Sequence, residues 1–517
     1  MKEQFCFRIG CQRKLKIEKL NLIGNILENK NIIIFAMGKI FDINQNCLKL
    51  DDLYILYTNH GKRIVSYLDG TYSLVIIDKI KRKLFVFQDL FGSNLNIYFY
   101  IDKKEILVSN ELKQIIKSKN VKWKINSEAV KKFLKNGFIN NKDTLVQFIH
   151  KVPGKKYLEI NLNNARYQVK KYILVKDVYK IKKVDDESYI RTLKDICNSS
   201  VCENMGVTIS SGYDTNFLIY NLRSCINNNL KAFSIGGTIG RNEVPDSCLI
   251  SKYYKNIDFY SKLVDDNSLI NFPEIVFALE GAIYESGIFL QYELAKLIKE
   301  NNVKNIILGD CADQVLHYNL YHPLNSHIDK IKYYVKNLKQ LCIGITIKPF
   351  KDIYEMASYK ILKKNGILMN YYGINTQYPY LRRKFIEIAK KIVIKRDNNK
   401  TYHKKIINKT LPADIVKILK KIGGATELKT LFIGKITLDD IKRIAKKSKF
   451  YKEKIFSDEF YEIDYYMKIV YLEIFEKMFI NVNFKNDKFN NNYNLLFFFP
   501  ELNKEVEDGK GNISSDK

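Results

Sequence analysis

No Cys-x-x-Cys pair occurs among the nine cysteines, which are scattered singly from Cys6 to Cys342. Disulfide frameworks and zinc knuckles need paired spacing, so neither is expected. Histidine is scarce too, with six in 517 residues. His317 and His322 share a segment, but no cysteine or carboxylate falls at ligand spacing beside them, so they read as surface or packing residues. No run of about 18 apolar residues appears, which argues against a membrane-spanning helix. The opening MKEQFCFRIGCQRK lacks an apolar stretch of signal-peptide length, so the cytosol is the expected compartment. No fixed-period repeat is visible.

Acidic residues are in deficit: 86 Lys and Arg face 56 Asp and Glu, a net charge of +30. A basic surface can mark a polyanion partner. Here the lysines spread along the whole chain beside abundant Asn, Ile and Tyr, all residue types of A/T-rich codons. The charge is therefore explained without a nucleic-acid partner.

What is present divides in two. Residues 1–178 read as strand-rich, with short β-type runs at Ile32–Phe35, Ser73–Ile77, Leu84–Phe87, Asn96–Tyr100 and Ile106–Val108. Helices are expected at Asn110–Lys117 and Ser127–Asn136, the second starting at Ser127-Glu128. A polar segment, Lys180–Glu187, closes this part. Residues 186–502 alternate helix and strand, with strands at Val207–Ile209, Ala232–Ile235 and Asn305–Leu308 and helices at Pro245–Tyr254 and Gln291–Glu300. Such alternation predicts a parallel sheet covered by helices. Beyond about 330 the pattern is mostly helical, and the polar tail 503–517 is expected to be disordered.

The segment Met205-Gly-Val-Thr-Ile-Ser-Ser-Gly-Tyr-Asp-Thr-Asn216 concentrates the chemistry. A β-branched strand runs into the small residues Ser210, Ser211 and Gly212, and a helix opens at Asp214 and Thr215. Loop N–H groups and a helix N-terminus attract anions, and small residues let the backbone approach phosphate closely. A second strand ends in Gly309-Asp310, so both loops fall on the carboxyl edge of the sheet, where such folds bind ligands.

Ser210-Ser-Gly-Tyr-Asp-Thr-Asn resembles the Ser-Gly-Gly-x-Asp-Ser-Ser pyrophosphate loop of the asparagine synthetase superfamily. Gly309-Asp-Cys-Ala-Asp-Gln resembles that family's Gly-Glu-Gly-Ala-Asp-Glu. Glu280-Gly-Ala-Ile-Tyr-Glu-Ser-Gly-Ile-Phe-Leu290, Ala232-Phe-Ser-Ile-Gly236, Tyr378-Pro-Tyr-Leu-Arg-Arg and Leu411-Pro412 with Lys421-Ile-Gly423 resemble further family blocks. In the first half, Leu68-Asp-Gly-Thr-Tyr-Ser-Leu-Val-Ile-Ile-Asp78, Asp89-Leu-Phe-Gly92, Ser109-Asn-Glu-Leu-Lys113 and Val152-Pro-Gly154 follow in the family's order. The resemblance spans roughly residues 30–430.

It implies an α/β and α+β protein: an N-terminal-nucleophile-type αββα sandwich, then a parallel-sheet, adenine-nucleotide α-hydrolase-like domain with a helical C-terminal part. It implies ATP and Mg²⁺ as cofactors, adenylation of a substrate carboxylate, and transfer to an amine. Ser210, Ser211, Gly212, Thr215, Ser234 and Gly309 would bind ATP or its pyrophosphate, with Asp214 and Asp313 on the metal. Glu243 would support the nucleotide. Lys421 would face the acyl-adenylate, with Lys417 and Lys420 competing for that role. Asp310 would accept a proton or orient the amine; a helix N-cap is its plainer reading.

Departures from the pattern narrow this. The glutaminase of the family needs a cysteine directly after the initiator methionine. Lys2 stands there, Cys6 could serve only after cleavage of five residues, the Asn-Gly-Glu block is missing, and Gln88 replaces an arginine. The first half is expected to be a scaffold without glutaminase activity. That points to relatives such as lasso-peptide cyclases and β-lactam synthetases, which close rings by amide formation. The latter carry Tyr where Asp310 stands. The implied partners are a carboxylate-bearing small molecule or peptide, including a precursor peptide and its processing protease. Rival readings are asparagine synthetase itself, a tRNA-modifying pyrophosphate-loop ATPase, and a nucleotide-binding scaffold without catalysis.

Overall fold

The computed structural model describes residues 2–502 except 11–14, 94, 103, 120, 155, 173–183, 239–241, 266, 317–356, 394–398, 421–430, 433–435, 455, 457–458, 482–488 and 491–492. The expected divide at 178 and the tail 503–517 therefore lie outside the described residues.

Two antiparallel sheets occupy the first part. β1 (Gln4–Gly10), β2 (Lys16–Ile23), β7 (Tyr98–Ile101), β8 (Glu105–Ser109) and β9 (His150–Lys151) run in the order β2-β1-β8-β7-β9. β3 (Asn25–Glu28), β4 (Ile32–Asp42), β5 (Leu68–Asp78), β6 (Lys83–Gln88), β10 (Lys156–Asn161) and β11 (Tyr167–Lys171) run in the order β11-β10-β6-β5-β4-β3. Alternation explains the unbroken apolar run of β4. Ile33, Phe35 and Met37 enter the core between the sheets, while Ile32, Ile34 and Ala36 enter a second core on the opposite face. Phe5 of β1 meets Phe35 with ring centroids 5.0 Å apart, so the sheets pack face to face. Leu53 and Tyr57 of the helix Leu50–His60 cover the outer face of the second sheet.

The expected helix Ser127–Asn136 forms with those bounds, but its N-cap is one residue earlier: the Asn126 side chain accepts from Ala129 N–H. Gly137 ends it at φ +78, a conformation that favours glycine, and a Cβ there would meet Tyr284 O at 2.2 Å.

In the second part β12 (Met205–Thr208), β13 (Leu230–Gly237), β14 (Ile257–Val264), β15 (Asn305–Ile307) and β16 (Asn375–Gln377) form a sheet in the order β14-β13-β12-β15-β16. All four neighbouring pairs are parallel. The chain builds outward from β12 through β13 and β14, then returns to the other side of β12 with β15. The order therefore reverses between β12 and β15, the place where open parallel sheets bind ligands at the strands' carboxyl ends.

The two parts share a core. Phe133 of the first meets Tyr471 of the helix Glu459–Glu476 at 5.1 Å between centroids. Polar clamps add to it. The Glu280 carboxylate accepts from Leu112 N–H at 2.8 Å and from Lys113 Nζ at 2.8 Å. Arg382 Nε donates to Asp69 at 3.1 Å while its guanidinium lies 3.7 Å from the Phe41 ring centroid.

Candidate functional site

The loop after β12 leads into the helix Tyr213–Arg223, whose N-cap is Gly212. Small residues make this junction tight, and side chains of the loop itself hold its shape. Gly212 N–H donates to Ser210 Oγ at 3.1 Å, and Ser210 Oγ donates to Thr215 Oγ1 at 3.3 Å. The fully buried Asn216 donates from Nδ2 to both Ser210 O and Gly212 O at 2.8 Å, bridging the turn from inside. Ser211 is fully buried and is not among the positive-φ residues, so its backbone does not require the glycine of the resembled loop.

The loop after β15 sits against the first. A Cβ on Gly309 would come within 2.9 Å of Thr215 Oγ1 and 3.3 Å of Thr215 Cα, so only glycine allows this approach. Cys311 follows, buried and at φ +69, a left-handed conformation costly for a residue with a side chain. Ala312 then begins a short helix, Ala312–Leu316, which carries Asp313. Ser234 is buried on β13, one residue beyond the last β12–β13 register pair, Thr208–Phe233.

Electrostatics distinguish the carboxylates. Burial raises the Asp310 pKa above the ordinary carboxylate range, against the pull of Lys364, and Asn365 Nδ2 donates to Asp310 at 3.2 Å. A raised pKa suits a proton acceptor better than an ordinary one does. Glu243, at the N-cap of the helix Val244–Tyr253, is also raised by burial, and its carboxylate accepts from Ser211 N–H at 3.3 Å. One loop N–H is thus already turned toward an anionic oxygen. Asp214 keeps 21% of its side chain exposed, and its Oδ1 lies 3.0 Å from Nε2 of the fully buried His403. Tyr380 O–H donates to Asp214 O at 2.8 Å.

The structure therefore brings Thr215, at the end of the first loop, against Gly309, with Asp310 next in sequence and Asp313 in the short helix that follows. Lys421 lies outside the described residues. Its neighbour Lys420 donates from its backbone N–H to Ser211 O at 2.9 Å and from Nζ to Asp246 at 3.0 Å. Among the described residues no three metal-ligating side chains cluster together. Asp214 and Asp313 are nonetheless the residue type that Mg²⁺ takes, because that ion uses one or two carboxylates and completes its shell with phosphate oxygens and water.

Sequence comparisons relate the chain to known proteins. A glutamine amidotransferase domain model matches residues 51–173, and an asparagine synthase model matches residues 201–342. A Methanocaldococcus jannaschii protein, named putative asparagine synthetase (glutamine-hydrolyzing) 2, is 25% identical over 364 residues, covering 65% of this chain and 68% of its own. The chain belongs to the asparagine synthetase superfamily. It is accordingly a carbon–nitrogen ligase of the asparagine synthase type. Among solved structures, the U34-tRNA thiolase of Methanococcus maripaludis is 14% identical, with 48% of this chain and 83% of that chain covered, at a TM-score of 0.22. The B. subtilis glutamine phosphoribosylpyrophosphate amidotransferase is 10% identical, with 69% and 91% covered, also at 0.22.

Within the superfamily pattern, Asn216, Tyr380, Tyr189 and His403 are the site residues that sequence reasoning missed. Asn216 was visible only as a departure from the loop. His403 is a lone histidine in the lysine-rich helix Asn399–Thr410, and nothing in its sequence neighbourhood points to Asp214.

Proposed function

We propose that this ligase activates a substrate carboxylate with ATP and transfers the acyl group to an amine, closing a ring within one peptide as a macrolactam. The observation that carries the reading is the contact of the Ser210–Thr215 loop with Gly309 at the point where strand order reverses. In the first step a carboxylate oxygen bonds to the ATP α-phosphorus and the bond to the bridging oxygen breaks, releasing pyrophosphate. Ser210, Ser211 and Gly212 would surround the departing charge with N–H and O–H donors, and Ser234 would border the adenine. Mg²⁺, held by Asp214 and Asp313, would neutralise charge on the pyrophosphate. In the second step the amine nitrogen bonds to the acyl carbon, AMP leaves, and Asp310 takes the amine proton. Lys421 would face the acyl-adenylate as a point charge.

The first part is best read as an N-terminal-nucleophile-type sandwich that no longer hydrolyses glutamine, and the second as a pyrophosphate-loop synthetase domain. Two observations support that. Cys6 lies inside β1, paired with Ser109 of β8, fully buried, and burial pushes its thiol up to about 11. A thiol so placed is a poor nucleophile. Lys2, Glu111, Lys113 and Glu280 line a nearby cavity with ion pairs: Lys2 with Glu111, and Lys113 with Glu111 at 3.0 Å and with Glu280 at 2.8 Å. The amine would then come from the substrate, with a precursor peptide and its protease as the fitting partners.

ATP–pyrophosphate exchange across a panel containing L-aspartate and acidic peptides tests the proposal. Exchange should require a carboxylate and vanish in Asp214→Asn and Asp313→Asn. Wild-type exchange in those variants would overturn the site. Release of glutamate from L-glutamine would overturn the reading of the first part.

A further inference from the structure

Asp214 is held from behind by a buried chain of polar groups. Its Oδ1 is 3.0 Å from His403 Nε2, and His403 Nδ1 is 2.7 Å from Tyr189 Oη. His403 and Tyr189 are both fully buried. The imidazole is walled by the rings of Phe217 at 5.6 Å and of Tyr189 and Tyr380 at 5.9 Å. With Asp214 ionised, Nε2 must carry a proton, because a bare lone pair facing a carboxylate at this distance is repulsive. Burial keeps the Tyr189 hydroxyl protonated, well above the ordinary tyrosine range, so it can donate to Nδ1. Both ring nitrogens then have a hydrogen-bond partner.

Packing alone does not call for this arrangement. An aromatic box of this size would accept a leucine, and the partly exposed Asp214 could be hydrated by water. What the buried donor adds is direction. Tyr380 fixes the Asp214 carbonyl and His403 fixes one carboxylate oxygen, so backbone and side chain are both anchored. We infer that His403 is a positioning residue that holds the Asp214 carboxylate in one orientation for Mg²⁺-bound pyrophosphate, with Tyr189 selecting its tautomer. This rests on the ATP-site reading above.

Three measurements on the full chain test it. In ¹⁵N-histidine NMR of the wild type, His403 should carry a proton on Nε2 and none on Nδ1; a proton on Nδ1 overturns the inference. By calorimetry, His403→Leu should bind Mg·ATP about 10-fold more weakly, the usual scale for losing a group that orients a metal ligand. Its affinity for ATP in EDTA should be unchanged, and His403→Gln, which keeps an N–H donor, should stay near wild type. A folded His403→Leu with wild-type Mg·ATP affinity overturns the inference. Should His403→Leu fail to fold, Tyr189→Phe decides: a mixed tautomer and weaker Mg·ATP binding support the chain, and no change in either overturns it. Absence of Mg·ATP binding by the wild type would remove the ATP-site reading, while the tautomer would still decide the His403–Asp214 contact.

Discussion

Gly309 faces Thr215 so closely that a single added carbon would lie 2.9 Å from Thr215 Oγ1. This contact joins the two loops. Thr215 cannot easily yield, because its hydroxyl is engaged by Ser210 and it sits in the first turn of its helix. Gly309→Ala should therefore force the loops apart, at about 1–3 kcal/mol of stability. Mg·ATP affinity should fall about 10-fold or more. Adding Thr215→Ala removes the opposing oxygen and should recover most of the stability. Calorimetry and urea denaturation of both variants check this; an unaffected Gly309→Ala would show that the loops do not depend on the approach.

Asn216 carries the second expectation. Its amide satisfies two loop carbonyls from a fully buried position. Asn216→Ala should cost about 1–3 kcal/mol, the range for leaving buried polar groups without their bond. Asn216→Asp should cost more, because it turns carboxylate oxygens toward carbonyl oxygens. Denaturation midpoints give the order, and an Asp variant as stable as the wild type would contradict the assignment of the amide.

The Asp69–Arg382 pair joins the two parts, with each side chain 4% exposed. Arg382 also donates to Gln45 Oε1 at 2.6 Å. Removing one member of a buried pair strands the other charge, so Arg382→Met should destabilise by about 3–5 kcal/mol. Arg383 N–H still donates to Asp69 at 3.2 Å, which favours the lower end. Differential scanning calorimetry reads the shift, and a Tm unchanged by Arg382→Met would mean the pair adds nothing.

These residues also mark how far the sequence could be read. The loops after β12 and β15 were legible because tight strand-to-helix turns demand small residues, and Ser210–Gly212 and Gly309 provide them. The strands β4, β5 and β6 were legible from their apolar runs. β16, Asn375–Gln377, is a polar triplet that is a strand only because β15 lies beside it. The Glu280–Lys113 clamp joins residues 167 apart, and His403 meets Asp214 across 189. Such pairings depend on how the helices pack over the sheets, which local periodicity does not encode.

Two buried lysines give a pH dependence. Lys363 is 4% exposed and Lys151 6% exposed. Burial, reinforced by the Lys151 charge and opposed by Asp89, pushes Lys363 down to about 7. Burial pushes Lys151 down to about 8, against the pull of Asp143. In the unfolded chain a lysine titrates near 10.4. Between these values the unfolded state binds more protons than the folded one, so stability rises with pH. The charge-burial penalty is fully present below pH 7 and is relieved as Lys363 and then Lys151 lose their protons. Each lysine contributes at most about 1.4 kcal/mol per pH unit. The window is best read from pH 7 to about 8.5, before thiols of the unfolded chain ionise. Unfolding free energy from urea titration should rise across it by about 1–2 kcal/mol. In Lys363→Met the rise should shrink, because one of the two titrating groups is gone. A flat or falling profile in the wild type would show that neither lysine is held neutral by its burial.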